Sequence, residues 1–205
     1  MPKIQDHLRY QLEGIAVNTY RTIGQLDKAK AICVEKFLSH PSTINLSAAI
    51  EFTEKKEISQ LKGRVNDSIF KNNELHLSHL SYLQQDNQHL LANEYLLTRH
   101  ELLNGDDYSS LIPAAKAFES SGYPLAASLV WRALINSVLE RSYNKAYAYT
   151  AKYVKSLHAL AHEISEWQGY PDHQKYLTQL HSAHFRKKSF WKMLPEEFLQ
   201  VIQTE

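Results

Sequence analysis

Apolar residues in this chain recur at intervals of three and four with almost no alternation of period two, and that spacing restricts the fold more than any other feature. Leu8, Leu12, Ile15 and Thr19 mark one face of a first helix that closes near Gly24. Asp27 supplies an N-cap for a second helix with the stripe Ala31, Val34 and Leu38. Pro41 ends it, because the residue before a proline is driven out of the helical region. The same reading predicts helices over 44–52, 57–70, 73–84, 87–103, 109–120, 125–141, 145–167 and 172–185, then a short terminal pair. Six Gly and six Pro in 205 residues fall below the usual ~7% and ~5%, so frequent tight turns are not expected and collagen-like or linker-rich architectures are excluded. The expectation is an all-α fold of antiparallel helical hairpins. The break Asn104-Gly105-Asp106-Asp107 divides N-terminal hairpins over 1–104 from a C-terminal region over 108–205.

Two of the turns look alike. Gly24 is preceded by Tyr20 and followed by Ala29, Cys33 and Pro41, and Gly122 is followed at the same offsets by Ala127 and Trp131. These are the offsets of a tetratricopeptide unit. The glycine permits the turn, the alanine lets two helices approach, the larger residue fills the gap, and the proline stops the second helix. The two glycines stand close to three repeats of about 34 residues apart. The spacing therefore predicts hairpins stacked as a short, continuous tetratricopeptide-like solenoid.

The C-terminal half carries a further pattern. Pro124-Leu125-Ala126-Ala127 precedes Trp131-Arg132-Ala133-Leu134 and then Ser142-Tyr143-Asn144-Lys145-Ala146-Tyr147. A closing run follows: Gly169-Tyr170-Pro171-Asp172-His173, Tyr176, Leu180, and His184-Phe185-Arg186-Lys187-Lys188-Ser189-Phe190-Trp191. This block resembles that of an uncharacterised bacterial family of tetratricopeptide-like helical-repeat proteins, related to a region found behind SWIM-type zinc fingers. The resemblance covers residues 108–194 well and 19–52 more loosely. It implies a fold and no reaction, and it implies a chain shorter at its N-terminus than many members. The zinc ligands of the SWIM finger are absent from this sequence.

Several chemistries can be weighed from residue types alone. One cysteine, Cys33, cannot form an internal disulfide, and at the large-residue position of a hairpin it is a buried, inert thiol. The 11 histidines include the pairs His158/His162, His181/His184 and His76/His79, each spaced to share a helix face. Glu163 follows the second histidine of its pair, so the arrangement is not that of a zinc protease, and no metal or cofactor is expected. Glycine-rich phosphate loops and nucleophile elbows are missing. No apolar run approaches the ~18 residues of a membrane span, and the opening residues lack a signal-peptide core, which points to the cytoplasm and away from membranes.

Charge is distributed unevenly. The chain carries +1 overall, yet residues 141–192 hold nine cations (Arg141, Lys145, Lys152, Lys155, Lys175, Arg186, Lys187, Lys188, Lys192) against three anions (Glu163, Glu166, Asp172). Tyr143, Tyr147, Tyr149, Tyr153, Tyr170 and Tyr176 interleave with them. The leading expectation is a non-enzymatic helical module that binds a protein or peptide, acidic in character, through Arg132, Lys145, Tyr147, Lys152, Tyr153, His173, His184, Arg186, Lys187 and Trp191. The alternative is a nucleic-acid accessory protein using the basic 141–192 face, with phosphates on the cations and bases on the rings. An enzyme built from His173, His184, Arg186 and Lys187 is the third reading. Convergence of Arg132, Lys145, Tyr147, His173 and Arg186 on one concavity would indicate a ligand site, and dispersal would reduce the block to packing and capping.

Overall fold

The computed structural model describes residues 2–196 and Phe198, and every regular element among them is helical. The chain divides into two compact units, Met1–Asp86 and Asn87–Glu205. The first contains α1 (Pro2–Thr22), α2 (Leu26–Ser39), α3 (Thr43–Ile50), α4 (Lys55–Phe70) and α5 (Leu77–Gln85). The second contains α6 (His89–Leu97), α7 (Tyr108–Ser120), α8 (Pro124–Glu140), α9 (Tyr147–Ala161), α10 (His173–His184) and α11 (Lys188–Trp191). Single 3-10 turns at His100–Leu102 and Asn144–Ala146 lead out of α6 and into α9. The all-α expectation holds. The break at Asn104–Asp107 falls inside the second unit, and the second member of the expected terminal pair lies mostly outside the described residues.

Three helix ends close in the same way. Gly24 (φ +75°) donates its N–H to the Arg21 carbonyl at 3.2 Å, and Gln25 N–H reaches the Tyr20 carbonyl at 2.8 Å. At Gly122 (φ +79°) the pair is Gly122 to Glu119 at 3.3 Å and Tyr123 to Phe118 at 2.9 Å. At Ser142 (φ +54°) it is Ser142 to Leu139 at 3.0 Å and Tyr143 to Val138 at 3.1 Å. Each crossed pair satisfies carbonyls that the helix end would otherwise leave open, with the turning residue left-handed. Glycine enters that region freely, whereas Ser142 enters it against the preference of a residue with a Cβ. The turns reverse the chain so that α1 packs on α2, α7 on α8 and α8 on α9. Ala29 and Ala127 are fully buried, with Cys33 and Trp131 almost so, as the two-hairpin reading requires. The helices between these hairpins, α3 to α6, run to 8, 16, 9 and 9 residues and do not repeat one hairpin length.

Several local expectations need correcting: α6 ends at Leu97 rather than residue 103, and the buried side of α2 is Ala29, Cys33 and Phe37 rather than Ala31, Val34 and Leu38. Gln25, not Asp27, occupies the N-cap of α2, because it directly follows the left-handed glycine; Asp27 instead places its charge in the first turn, where it favours the helix N-terminus. Helix α5 begins at Leu77 rather than residue 73. Helix α9 ends at Ala161 rather than Trp167, although Ile164 beyond it is buried, so the apolar spacing there belongs to a packed loop. The stripe Leu8, Leu12 and Ile15 on α1 is exposed; the half-buried side is Glu13, Ala16, Val17 and Tyr20, with Lys36 of α2 3.7 Å from Glu13 and Lys28 over the Tyr20 ring.

In the first unit the core is Ala29, Cys33 and Phe37 of α2 with Leu46, Leu61, Val65, Ile69 and Leu80, and Phe37 meets Tyr82 edge-on at 5.5 Å. In the second unit α8 is central. Pro124 opens it with a preset φ where no N–H is needed, and twelve of its 17 residues are buried. It packs against α6, α7, α9 and α10. A helix apolar nearly all round must be enclosed, which leaves its few polar residues at places where the covering elements part.

Candidate functional site

Two cavities open on different faces of α8. The first is a groove of about 560 Å³ formed with α7 and α9 and lined by Leu134 and Val138 below, and by Tyr108, Tyr143, Tyr149 and Tyr153 around it. Tyr108, Tyr143 and Tyr149 are 63%, 51% and 61% exposed, so their rings stand ready for contact rather than filling a core. Tyr153 is half-buried and stacks on Trp131 with ring centres 4.7 Å apart, which fixes it as the floor. Trp131 is itself held, its indole N–H donating to Glu119 Oε1 at 2.7 Å. No acidic side chain lines the groove, whereas Arg141 and Lys145 do, and the Lys152 ammonium lies 5.6 Å from the Tyr149 ring centre.

The second cavity, a cleft of about 570 Å³, lies between α8, the loop around Asn104–Asp106 and the Tyr170–Pro171 segment. Its centre is Arg132, only 5% exposed. The guanidinium carbon lies over the rings of Trp167 at 4.9 Å and Tyr176 at 4.5 Å, and Nη1 donates to the Pro171 carbonyl at 2.8 Å. Burial pulls its pKa down to about 10, partly opposed by Tyr176 and Asp172. Tyr176 donates to Asn136 Oδ1 at 2.9 Å, and burial pushes its own phenol pKa upward. Tyr170 donates to the Leu97 carbonyl at 3.3 Å and meets the His100 ring edge-on.

Gly105 and Arg141 line both cavities. Arg141 Nη2 pairs with Asp106 Oδ1 at 3.0 Å, and Asp106 also accepts a short hydrogen bond from the Ser137 hydroxyl. A Cβ at Gly105 would collide with the Ala133 backbone and lie 2.6 Å from Ser137 Cβ, so only glycine lets the loop lie this close to α8.

The ten sequence candidates do not meet on one surface. Lys145, Lys152 and Tyr153 gather at the tyrosine groove, while Arg132 belongs to the cleft. Tyr147 is buried between α9 and α11, its ring 5.6 Å from Phe190. His173 is buried with Nε2 3.3 Å from His158 Nδ1, and burial first, then His158, pulls its pKa down to about 4. Trp191 is 5% exposed and donates its indole N–H to the His184 carbonyl at 2.9 Å, an anchor for α11. Lys187 reaches Ser142 Oγ at 2.8 Å, and Arg186 is exposed beside Phe185. His184, half-buried, has its pKa lowered by burial and by Lys187. Among the described residues no group of three or more His, Cys, Asp or Glu side chains is arranged to hold a metal ion. Tyr108 and Asn136 are missing from the sequence reading of the site altogether, and Arg141, Tyr143 and Tyr149 enter it only as part of the basic 141–192 face. The signal that could have found Tyr108 is its place directly after the Asn104–Asp107 break, at the start of a helix.

A family model described as a family of unknown function, DUF6880, matches residues 2–193. The chain belongs to the DUF6880 family. The match takes in nearly all of the C-terminal block and extends through both compact units. No curated protein and no solved structure matches this DUF6880 chain. No helix among the described residues is long and apolar enough to cross a membrane.

Proposed function

We propose that this DUF6880 chain is a non-enzymatic module of tetratricopeptide-like hairpins that binds an extended, acidic peptide segment of a protein partner in the α7–α8–α9 groove. The observation that carries the reading is the lining: four tyrosines on an apolar floor, with cations at the edge and no carboxylate. Tyrosine gives large contact area for little lost rotamer freedom, and cations at a rim lined by no carboxylate favour an acidic chain. The α7–α8 hairpin, turned at Gly122, and the α8–α9 hairpin, turned at Ser142, supply the rigid walls, Tyr108 and Ile112 from one helix and Tyr149 from another. The enzyme reading finds little support in these residues: His173 is buried against His158, Lys187 is engaged with Ser142, and Arg186 stands exposed beside Phe185.

The test is selection of peptides from a random display library, followed by fluorescence-polarisation binding of the enriched peptides to the full chain. Enriched sequences should be net acidic with interspersed apolar residues. Tyr108→Ala with Tyr149→Ala should weaken them by about tenfold or more, the loss expected of an anchor residue, while circular dichroism stays unchanged. Neutral or basic selected peptides, or binding indifferent to both tyrosines, overturn the reading. Oligonucleotide binding is measured beside it. Generic RNA or DNA should bind in the non-specific range of ~10⁻⁴–10⁻⁶ M at physiological salt. Nanomolar binding with a steep salt slope, made shallower by changing Arg186, Lys187 and Lys188 together to Ser, would replace the peptide by a nucleic acid.

A further inference from the structure

Arg132 breaks a rule that buried charge ordinarily obeys. It stands on a helix that is apolar on almost every side, and no acidic side chain among the described residues forms an ion pair with it. Of its three nitrogens only Nη1 has an acceptor, the Pro171 carbonyl; buried Nε and Nη2 have no hydrogen-bond partner in the protein. Those two nitrogens form one edge of the guanidinium, the edge on which arginine takes a carboxylate through two parallel hydrogen bonds. The guanidinium carbon also lies over the rings of both Trp167 and Tyr176, which holds the fork in place beside the cleft. A buried cation with unspent donors is costly unless something accepts from it.

We propose that the cleft beside Arg132 binds the carboxylate of a small organic acid, held on the Nε–Nη2 edge of the guanidinium. Arg132 lines the cleft, and Asn136, whose Oδ1 accepts from Tyr176, keeps its amide NH₂ as a further donor there. The cleft is also lined by Glu101, Asp106 and Glu140. Asp106 is engaged by Arg141 and Ser137, and neither glutamate is paired with Arg132. These carboxylates argue against a phosphate dianion, which would add two charges where a planar monoanionic group adds one. They also suit an acid whose far end carries a hydroxyl, amide or ammonium donor. The covered Nε and Nη2 are reached by displacement of the loop bearing Trp167, Tyr170 and Pro171, which runs without helix between α9 and α10. This site shares Gly105 and Arg141 with the peptide groove, but neither reading needs the other.

The test follows the Trp167 indole N–H and the Arg132 Nε–H of the full chain by proton–nitrogen correlation spectra, assigned through Trp167→Phe and Arg132→Lys. Acetate, succinate, citrate and glutamate are titrated at constant ionic strength, with inorganic phosphate and chloride as rivals. At least one carboxylate should shift both signals saturably below about 50 mM and raise the melting temperature. Arg132→Lys keeps a cation beside the rings but loses the planar fork, and should weaken that acid by about tenfold or more. Phosphate or chloride saturating as tightly as every carboxylate overturns the assignment. So does the absence of a saturable shift with any acid, which would leave solvent as the partner of the free edge. Should Arg132→Lys fail to fold, the wild-type comparison of carboxylates with phosphate and chloride still decides.

Discussion

Replacing Gly105 by alanine adds one methyl group at the point where the loop before α7 lies on α8. The backbone there is not left-handed, so the cost is one of space alone. The new Cβ would stand 2.6 Å from Ser137 Cβ and 2.8 Å from the Ala133 carbonyl carbon, both part of a buried helix that cannot rotate away. The loop must therefore lift, and lifting it loosens the Asp106 contacts to Ser137 and Arg141. Overpacking of this kind costs about 1–3 kcal/mol, and the exposed ion pair adds a few tenths at most. For a chain of this length that is a fall of roughly 2–12 °C in melting temperature. Urea denaturation followed by circular dichroism measures it, with an unchanged slope showing that the unfolded state is not the source. Gly122→Val provides the contrast, since nothing lies within 4 Å of a Cβ there but φ is +79°, so its cost of about 1–2 kcal/mol comes from the backbone alone. A Gly105→Ala protein as stable as wild type would refute the close approach of loop and helix.

Ser142→Gly should stabilise by about 0.5–1 kcal/mol in the same assay, because a left-handed serine is relieved and only an exposed bond from Lys187 is lost. Trp191→Ala should cost about 3–5 kcal/mol in C-terminal stability and lose the α11 signal, since the indole is buried and hydrogen-bonded to the His184 carbonyl. His173, faced by His158, His162, Arg132 and Asp172, has a folded pKa of about 4 against 6.5 unfolded. Its contribution is therefore fully present above pH 6.5 and lost as pH falls toward 4, on the order of 3 kcal/mol, and His173→Gln should flatten that slope in pH-dependent urea titrations.

Much of the helical framework is legible from spacing. Gly24 and Gly122 announce their turns because glycine is the residue that tolerates the left-handed region, and Asp172 announces α10 by capping the Lys175 N–H at 2.8 Å. The turn at Ser142 is hidden, since it has the same two crossed bonds without the glycine that would mark them. The end of α9 is hidden as well. Ile164 and Trp167 continue the apolar rhythm, but one fills a core position from a loop and the other covers Arg132. Around Ile164 periodicity reports an enclosed residue and not the backbone that carries it, whereas on α1 the stripe Leu8, Leu12 and Ile15 is periodic and exposed. The same blindness affects the site: Tyr147 and Tyr149 are near neighbours in sequence, yet one is buried against Phe190 and the other is mostly exposed at the groove. Arg132 within Trp131-Arg132-Ala133-Leu134 is readable as a charge on an enclosed helix, but the rings it lies over come from residues 35 and 44 positions later and leave no local trace.

The wall formed by Gly105 and Arg141 belongs to both cavities of the second unit, and this has a thermodynamic consequence. A ligand that shifts the Gly105 loop, or recruits Arg141 from Asp106, alters the lining of the other cavity at the same moment. The two occupancies then share a coupling free energy, and linkage makes it reciprocal: whatever factor an acid in the cleft imposes on peptide affinity, the peptide imposes on the affinity for the acid. Its sign turns on whether the two proposed ligands prefer the same position of the Gly105 loop, which would make a small carboxylate the regulator of the proposed peptide binding.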